Sequence, residues 1–216
     1  EGVGKRIVIL GAGFGGLQTT IELERAFRHH GDVEIFLVND QNFFLFTPLL
    51  PQIASSYINP RHIVQAVRDI RGSRRFGFRR DRVRSIDFER RTVEFVEGSA
   101  TYDYLIVALG SRTDYFNTPG AREHTWEFKT LEDAVVLRER VLDLCEHADH
   151  TSDAAERRRM LTFVVVGGGY TGVELVTELH DFLFRYIARR YRNIAPGDVR
   201  LIVLEAAPEV LRGVHP

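Results

Sequence analysis

The chain has 216 residues, enough for one large domain or two small ones, with 29 Lys and Arg against 30 Asp and Glu and a net charge of −1. That balance excludes recognition of nucleic acid or an acidic membrane surface by bulk charge. A single cysteine, Cys145, excludes an internal disulfide, a Cys-x-x-Cys redox pair and a multi-thiolate metal site, so no metal centre is expected.

Glu1-Gly2-Val3-Gly4-Lys5-Arg6 lead directly into a strand with no signal-peptide pattern, and no apolar run approaches the ~20 residues that cross a bilayer. Residues 6–10 read as a short buried parallel strand, uninterrupted and β-branched. It runs into Gly11-Ala12-Gly13-Phe14-Gly15-Gly16, then a helix from Leu17 to His29, then a strand at 34–38 ending at Asn39-Asp40. This unit has the expected βαβ size. Residues 42–56 are apolar but broken by Pro48 and Pro51, which argues against a regular central strand and for a buried connector. A helix is expected over 60–71, with Pro60 near its start. The eight arginines of 68–84, interleaved with Asp69 and Asp81, read as a solvated face. Residues 83–95 alternate like a strand pair, and Tyr102 to Ala108 reads as another buried strand closing on Leu109-Gly110-Ser111.

Pro119-Gly120 marks a turn, and the junction between two lobes is placed there: 1–118 and 119–216. A long helix is expected over 131–148, with Cys145 on its face, followed by a polar loop at 149–159. The first unit's pattern then recurs. A strand at 161–166 runs into Gly167-Gly168-Gly169-Tyr170-Thr171-Gly172, a helix from about Thr171 to Tyr191, a Pro196-Gly197 turn and a strand at 199–204 with Glu205 at its end. The fold class is α/β: two Rossmann-like dinucleotide-binding units, the second incomplete, since a parallel sheet begun there needs more strands than remain before Val214-His215-Pro216.

Both loops read G-x-G-x-x-G. The first glycine permits the turn out of the strand, the second lets a pyrophosphate approach the backbone, and the third lets helix and strand pack closely. The helix start then offers N–H groups and a positive dipole end to the phosphates. One such motif is a weak signal. Two, each between strand and helix, suggest two dinucleotides on one protein, the arrangement that brings a flavin to a nicotinamide. Glu205 would accept hydrogen bonds from adenosine ribose hydroxyls and repel a 2′-phosphate, which favours NADH over NADPH. The matching position in the first unit is Asn39, with Asp40 next, a departure from the usual acid. Glu174 reads either as a carboxylate stabilised in the first turn of its helix or as a contact for the nicotinamide carboxamide or ribose. Tyr170, on the glycine loop, either stacks near a flavin or merely packs.

Gly11 to Gly16, Asn42-Phe43-Phe44-Leu45-Phe46-Thr47-Pro48-Leu49-Leu50, Tyr102 to Ser111 and Gly167 to Glu174, in that order, resemble the flavoprotein disulfide reductase superfamily. Within it they are most similar to type II NADH dehydrogenase, the single-subunit NADH:quinone oxidoreductase. The resemblance covers nearly the whole chain. It implies FAD on residues 1–118 and NADH on 119–216. Thr47, Pro48 and Leu49 would line the flavin, and Val83 would meet the adenine through its backbone. Ala108-Leu109-Gly110 would match a second flavin motif that usually reads Ala-Thr-Gly, from which Leu109 departs. It further implies hydride transfer from NADH to the flavin, with Glu174 and Tyr170 at the reacting end, and electron delivery to a quinone. The C-terminal portion of the family pattern, which lines the quinone site and binds the membrane, is expected to be missing here. A cytoplasmic protein, peripheral to the inner face of the membrane, is implied, and a homodimer stays open. With no redox cysteines near the connector, thiol–disulfide chemistry is disfavoured. A sulfide:quinone oxidoreductase relative, a soluble reductase of a ferredoxin-like protein and a non-catalytic dinucleotide-binding regulator remain open alternatives.

Overall fold

The computed structural model describes residues 4–212. The lead-in Glu1–Val3 and the closing Gly213–Pro216, on which expectations about the two chain ends fall, lie outside the described residues. Two compact units form. One contains residues up to Leu45 together with Val64–Arg112; the other contains Phe46–Ile63 together with the chain from Thr113 onward.

In the first unit β1 (Lys5–Leu10) leads through the glycine loop to α1 (Phe14–Ala26) and β2 (Val33–Asn39). The chain continues as β3 (Phe43–Leu45), leaves for the second unit as α2 (Leu50–Ala54), and returns as β4 (Val64–Ala66) and α3 (Val67–Arg71). It then forms β5 (Phe76–Arg80), β6 (Val83–Asp87), β7 (Thr92–Phe95), β8 (Gly98–Thr101) and β9 (Tyr104–Val107). A parallel sheet of order β5-β2-β1-β9 carries the unit, and β6-β7-β8 form an antiparallel meander. The uninterrupted apolar run of β1 is explained by its two covered faces. Ile7 and Ile9 point to one side with Leu17, Val67, Phe76 and Phe78, while Val8 and Leu10 point to the other with Val38, Val93 and Phe95. Each such side chain, fully withdrawn from water, contributes about 1.5–3 kcal/mol.

Three expectations in this unit need correction. The helix expected over 60–71 is a short turn at Pro60–His62, then β4, then α3. β4 pairs antiparallel with β3, and the Val67 N–H donates to the Asn42 carbonyl at 2.9 Å, so tertiary pairing overrides local helical preference. Six of the eight arginines of 68–84 are exposed, as a solvated face requires, but the run also hides β5, whose Phe76 and Phe78 are buried, and its Asp81 is buried, 2.7 Å from the Arg79 guanidinium. The strand read as buried near 102–108 is β9, at the edge of the described sheet, with Tyr104 and Val107 exposed.

The second unit adds α4 (Ala121–His124), α5 (Leu131–His150), α6 (Ala154–Met160), β10 (Thr162–Val166), α7 (Tyr170–His180), a wide π-helical stretch at Asp181–Ile187, α8 (Ala188–Arg190) and β11 (Arg200–Leu204). β10 and β11 are parallel. Thr130 and Asp133 form a reciprocal capping box that starts α5. The polar loop expected at 149–159 contains α6, because Asp153 caps the N–H groups of Ala155 and Glu156 at 2.8 and 3.3 Å. The core gathers Val141, Cys145, Leu161, Val165, Leu175, Leu179, Leu183 and Ile187, and Ala54 of α2 joins it. Burial pushes the Cys145 thiol up to about 12, so at about pH 8 it is neither ionised nor accessible. Iodoacetamide is therefore expected to leave the folded protein unmodified and to label Cys145 only after denaturation, as read by intact mass.

Candidate functional site

Two glycine loops repeat one geometry. Each opens on a glycine in the left-handed region, Gly11 at φ 101° and Gly167 at φ 106°. The N–H of each opening glycine donates to a carbonyl at the end of the neighbouring strand, Gly11 to Val38 of β2 at 2.7 Å and Gly167 to Leu204 of β11 at 2.8 Å. The next N–H in each loop donates to the side chain that follows: Ala12 to Asn39 Oδ1 at 2.9 Å, Gly168 to Glu205 Oε2 at 2.5 Å. Asn39 and Glu205 thus occupy equivalent places, and both hold the glycine loop in shape.

The glycines divide by what surrounds them. A Cβ on Gly16 would penetrate the Gly11 carbonyl and crowd the Ala108 methyl; one on Gly172 would penetrate the Gly167 carbonyl. These are packing glycines. Gly13 and Gly169 differ. Both have extended backbone that any residue adopts, and a Cβ on either would meet no atom of the described residues within 4 Å. Nothing among the described residues requires glycine at these two positions. The open space above them, next to helix starts that no described side chain caps, fits the close approach of a pyrophosphate. Gly15 likewise faces open space, from the first turn of α1, and Phe14 beside it is edge-on to Phe44 at 5.0 Å.

At the ribose position of the first unit, Asn39 is engaged on both sides of its amide. Oδ1 accepts from Ala12 and Nδ2 donates to the Gln41 carbonyl at 2.9 Å. Asp40 is exposed; its carboxylate lies 4.0 Å from Arg82, and its carbonyl accepts from Arg80 Nε at 3.1 Å. In the same unit Ala108 N–H donates to the Leu10 carbonyl at 2.8 Å, which brings Ala108-Leu109-Gly110 beside Gly11; Leu109 is exposed and Gly110 has φ 77°. Val83, half-buried, opens β6 opposite Phe95.

In the second unit Glu205 accepts from Gly168 through one carboxylate oxygen and from Ala207 through the other, at 2.9 Å. The Ala207 and Gly168 N–H groups hold this carboxyl below its ordinary value. Each oxygen keeps a lone pair for a further donor. Tyr170 is exposed at the first position of α7, with Thr171 beside it. Glu174 is exposed as well, but it needs a correction. The helix begins at Tyr170, which leaves Glu174 beyond the first turn, and the explanation from the helix terminus no longer applies.

Thr47, Pro48 and Leu49 belong to the second unit. They form a short 3-10 turn, Thr47 and Pro48 exposed and Leu49 half-buried, leading into α2. Pro48 and Pro51 sit at helix-starting positions, where proline's missing N–H costs nothing. α2 packs on α5 and α7. Three polar residues that sequence reasoning did not single out meet there. Gln52 Nε2 donates to Glu178 Oε1 at 2.9 Å, and the buried Ser55 hydroxyl donates to Glu178 Oε2 at 2.9 Å. The four-residue step from Glu174 to Glu178 was the available signal for a shared helix face; the partners on α2 left none.

The family model described as pyridine nucleotide-disulphide oxidoreductase matches residues 5–216. Type II NADH:quinone oxidoreductase NdhA of Mycobacterium tuberculosis is 38% identical over 98% of this chain and 45% of its own length. External alternative NAD(P)H-ubiquinone oxidoreductase B4, mitochondrial, of Arabidopsis thaliana is 34% identical over 96% of this chain and 37% of its own length. The solved structure of NDH2 from Plasmodium falciparum in complex with NADH is 27% identical, with a TM-score of 0.82 over 92% of this chain and 41% of that one. The chain spans less than half the length of each of these relatives. With two nucleotide-type loops of one geometry and a family match along nearly its entire length, the chain belongs to the pyridine nucleotide-disulphide oxidoreductase family.

Proposed function

We propose that this chain holds FAD at the first glycine loop and NADH at the second, and serves electron transfer from NADH to a quinone. The observation that carries the reading is the pair Gly13 and Gly169, glycines at equivalent loop positions with open space where a Cβ would be, each beside a helix start that no described side chain caps. The similarity to proteins named as NADH:quinone and NAD(P)H-ubiquinone oxidoreductases supplies the reaction class. Bound FAD would supply two-electron redox chemistry, with NADH as the hydride donor, so that NADH, a proton and the quinone would become NAD⁺ and the quinol.

The chain's own residues bind and orient. Gly13 and Gly15, with Phe14, would hold the FAD pyrophosphate on a loop that Gly11 and Gly16 shape by their close packing. Ala108-Leu109-Gly110 would admit it closely, Val83 would present its backbone to the adenine, and Asp40, or the N–H and lone pair that the Asn39 amide has left, would serve the ribose. Gly169 and Thr171 would hold the NADH pyrophosphate on a loop that Gly167 and Gly172 shape, and Glu205 would accept the ribose hydroxyls. Thr47, Pro48 and Leu49 would form the flavin wall, and Tyr170 and Glu174 would attend the nicotinamide. The domain assignment follows: FAD on residues 1–118, NADH on 119–216, with 46–63 packing in the NADH-side unit. A peripheral site at the cytoplasmic face of a membrane belongs to the same proposal, supported by the lipid solubility of the acceptor class; among the described residues no helix is long and apolar enough to cross a bilayer.

Full-length protein should purify yellow, bleach on anaerobic addition of NADH, and regain its oxidised spectrum when a quinone is added. A colourless protein, or a flavin that NADH does not bleach, would overturn the reading.

A further inference from the structure

The Glu178 carboxylate is the polar tie between α2 and α7. α2 is only five residues long, and four of them, Leu50, Pro51, Ile53 and Ala54, are buried. Apolar packing holds it against α5 and α7 but leaves its rotation and sliding weakly specified, because hydrophobic contact is non-directional. Direction comes from two hydrogen bonds to one carboxylate, from Gln52 Nε2 and Ser55 Oγ, each at 2.9 Å. The donors are three residues apart along α2 and its C-terminal cap, so together they fix both its phase and its height on α7. The Gln52 amide serves this contact alone. Its NH₂ faces the carboxylate, while its buried oxygen has no hydrogen-bond partner among the described residues. An apolar residue there would avoid that orphan acceptor, yet could not aim α2.

What α2 aims lies just before it. Thr47-Pro48-Leu49 runs into α2 without a spacer, and Tyr170 and Glu174 lie on α7, Glu174 one turn before Glu178. We propose that Glu178 is a positioning residue: by bridging Gln52 and Ser55 it sets the placement of the Thr47–Leu49 segment on the helix that carries Tyr170 and Glu174, and thereby the rate at which NADH reduces the flavin. The inference rests on the functional reading above, since it assigns the two tied segments to the flavin wall and the nicotinamide side. It concerns geometry between reactants, so it affects the transfer rate more than the affinity for either dinucleotide.

The test uses full-length protein in anaerobic stopped-flow, with the parent measured first. Gln52→Glu sets two carboxylates against each other. Gln52→Glu with Glu178→Gln restores the pair with donor and acceptor exchanged. Ser55→Ala removes the hydroxyl's bond to Glu178, together with its longer 3.2 Å contact to the Gln52 carbonyl, with little change of volume. Gln52→Glu should lower the limiting rate of flavin reduction by NADH about tenfold, the order of effect of a sub-ångström to ångström misplacement. FAD content, the Kd for NADH and the rate of reduction by dithionite should stay at the parent's values. Ser55→Ala should lower the limiting rate about threefold, and the exchanged pair should recover to within about threefold of the parent, as one hydrogen bond's worth of coupling requires. The proposal is overturned if Gln52→Glu and Ser55→Ala are reduced at the parent's rate, if the exchange restores nothing, or if the rate falls only as FAD is lost. Should Gln52→Glu not fold, Ser55→Ala decides by the same criteria. A parent that carries FAD but is not bleached by NADH refutes the functional reading instead, and that result is seen before any variant is made.

Discussion

Gly13→Val is expected to yield a protein that folds but elutes without flavin, and Gly169→Val one that keeps its flavin but no longer binds NADH. At both positions the backbone is extended and an added Cβ would meet no atom of the described residues beyond the two flanking ones, so the fold has room for the start of a side chain. The ligand is then displaced, because the valine occupies the ground a pyrophosphate must reach; the loss of affinity should be on the order of 100-fold or more. Gly16→Ala and Gly172→Ala make the opposite pair. Their Cβ atoms run into the carbonyls of Gly11 and Gly167, and overpacking of that kind costs about 1–3 kcal/mol of stability. Flavin content and NADH titration report the first pair; thermal unfolding of flavin-free parent and variants reports the second, which removes the stabilisation that bound FAD itself confers. Retention of stoichiometric flavin by Gly13→Val would show that the first loop holds no pyrophosphate.

The second large effect is expected at Glu205. Its carboxylate is exposed, anchored by Gly168 and Ala207, and has lone pairs left for two ribose hydroxyls. A 2′-phosphate brought to the same place meets a like charge. Glu205→Gln keeps an acceptor for the Gly168 N–H but removes that charge, and the ratio of kcat/KM for NADH over NADPH should fall by roughly 10–100-fold. The pH dependence has a definite sign. The backbone N–H groups lower the folded-state pKa of Glu205, so its charge persists as pH falls and disappears only below the ordinary carboxylate range. NADH carries no 2′-phosphate to titrate at about pH 6, so the contribution of Glu205 to NADH binding, read as the parent-to-Glu205→Gln ratio of Kd, should be flat from about pH 8 down to about pH 5, whereas a group with a raised pKa would lose its charge within that window. A ratio that decays across that range would assign the ribose contact to another residue.

Much of this arrangement is legible from one sequence because parallel strands and glycine loops leave local signatures. The runs at 6–10 and 161–166 read as strands because each is a short, unbroken apolar stretch rich in β-branched residues and stopped by glycine, and the loop spacing encodes turn, ligand approach and packing in six positions. Elements defined by distant partners are not legible in that way. β4 exists because β3 lies opposite it, and its residues alone read as helix. β5 is masked by arginines whose charges leave the sheet while Phe76 and Phe78 enter it. α6 had a local signal, Asp153 followed three residues later by Glu156, which the run of charged residues around it obscures. At the site, sequence named Glu205 and Asn39 for ribose recognition but not their shared service to the glycine loop, which depends on a contact from strand end to loop. The Gln52–Ser55–Glu178 tie joins residues more than a hundred positions apart, a pairing that no periodicity can announce.

The early position of α2 in the chain has a consequence for biosynthesis. Leu50, Ile53 and Ala54 leave the ribosome well before α5 and α7, the helices that cover them. At ~5–20 residues per second, that interval lasts several seconds or more. Throughout it a greasy turn is tethered to a nascent first unit whose own sheet is still waiting for β5 and β9. The stretch from Leu50 to Ala54 is thus one point at which a growing chain is exposed to wrong partners, and where a chaperone would have reason to hold it.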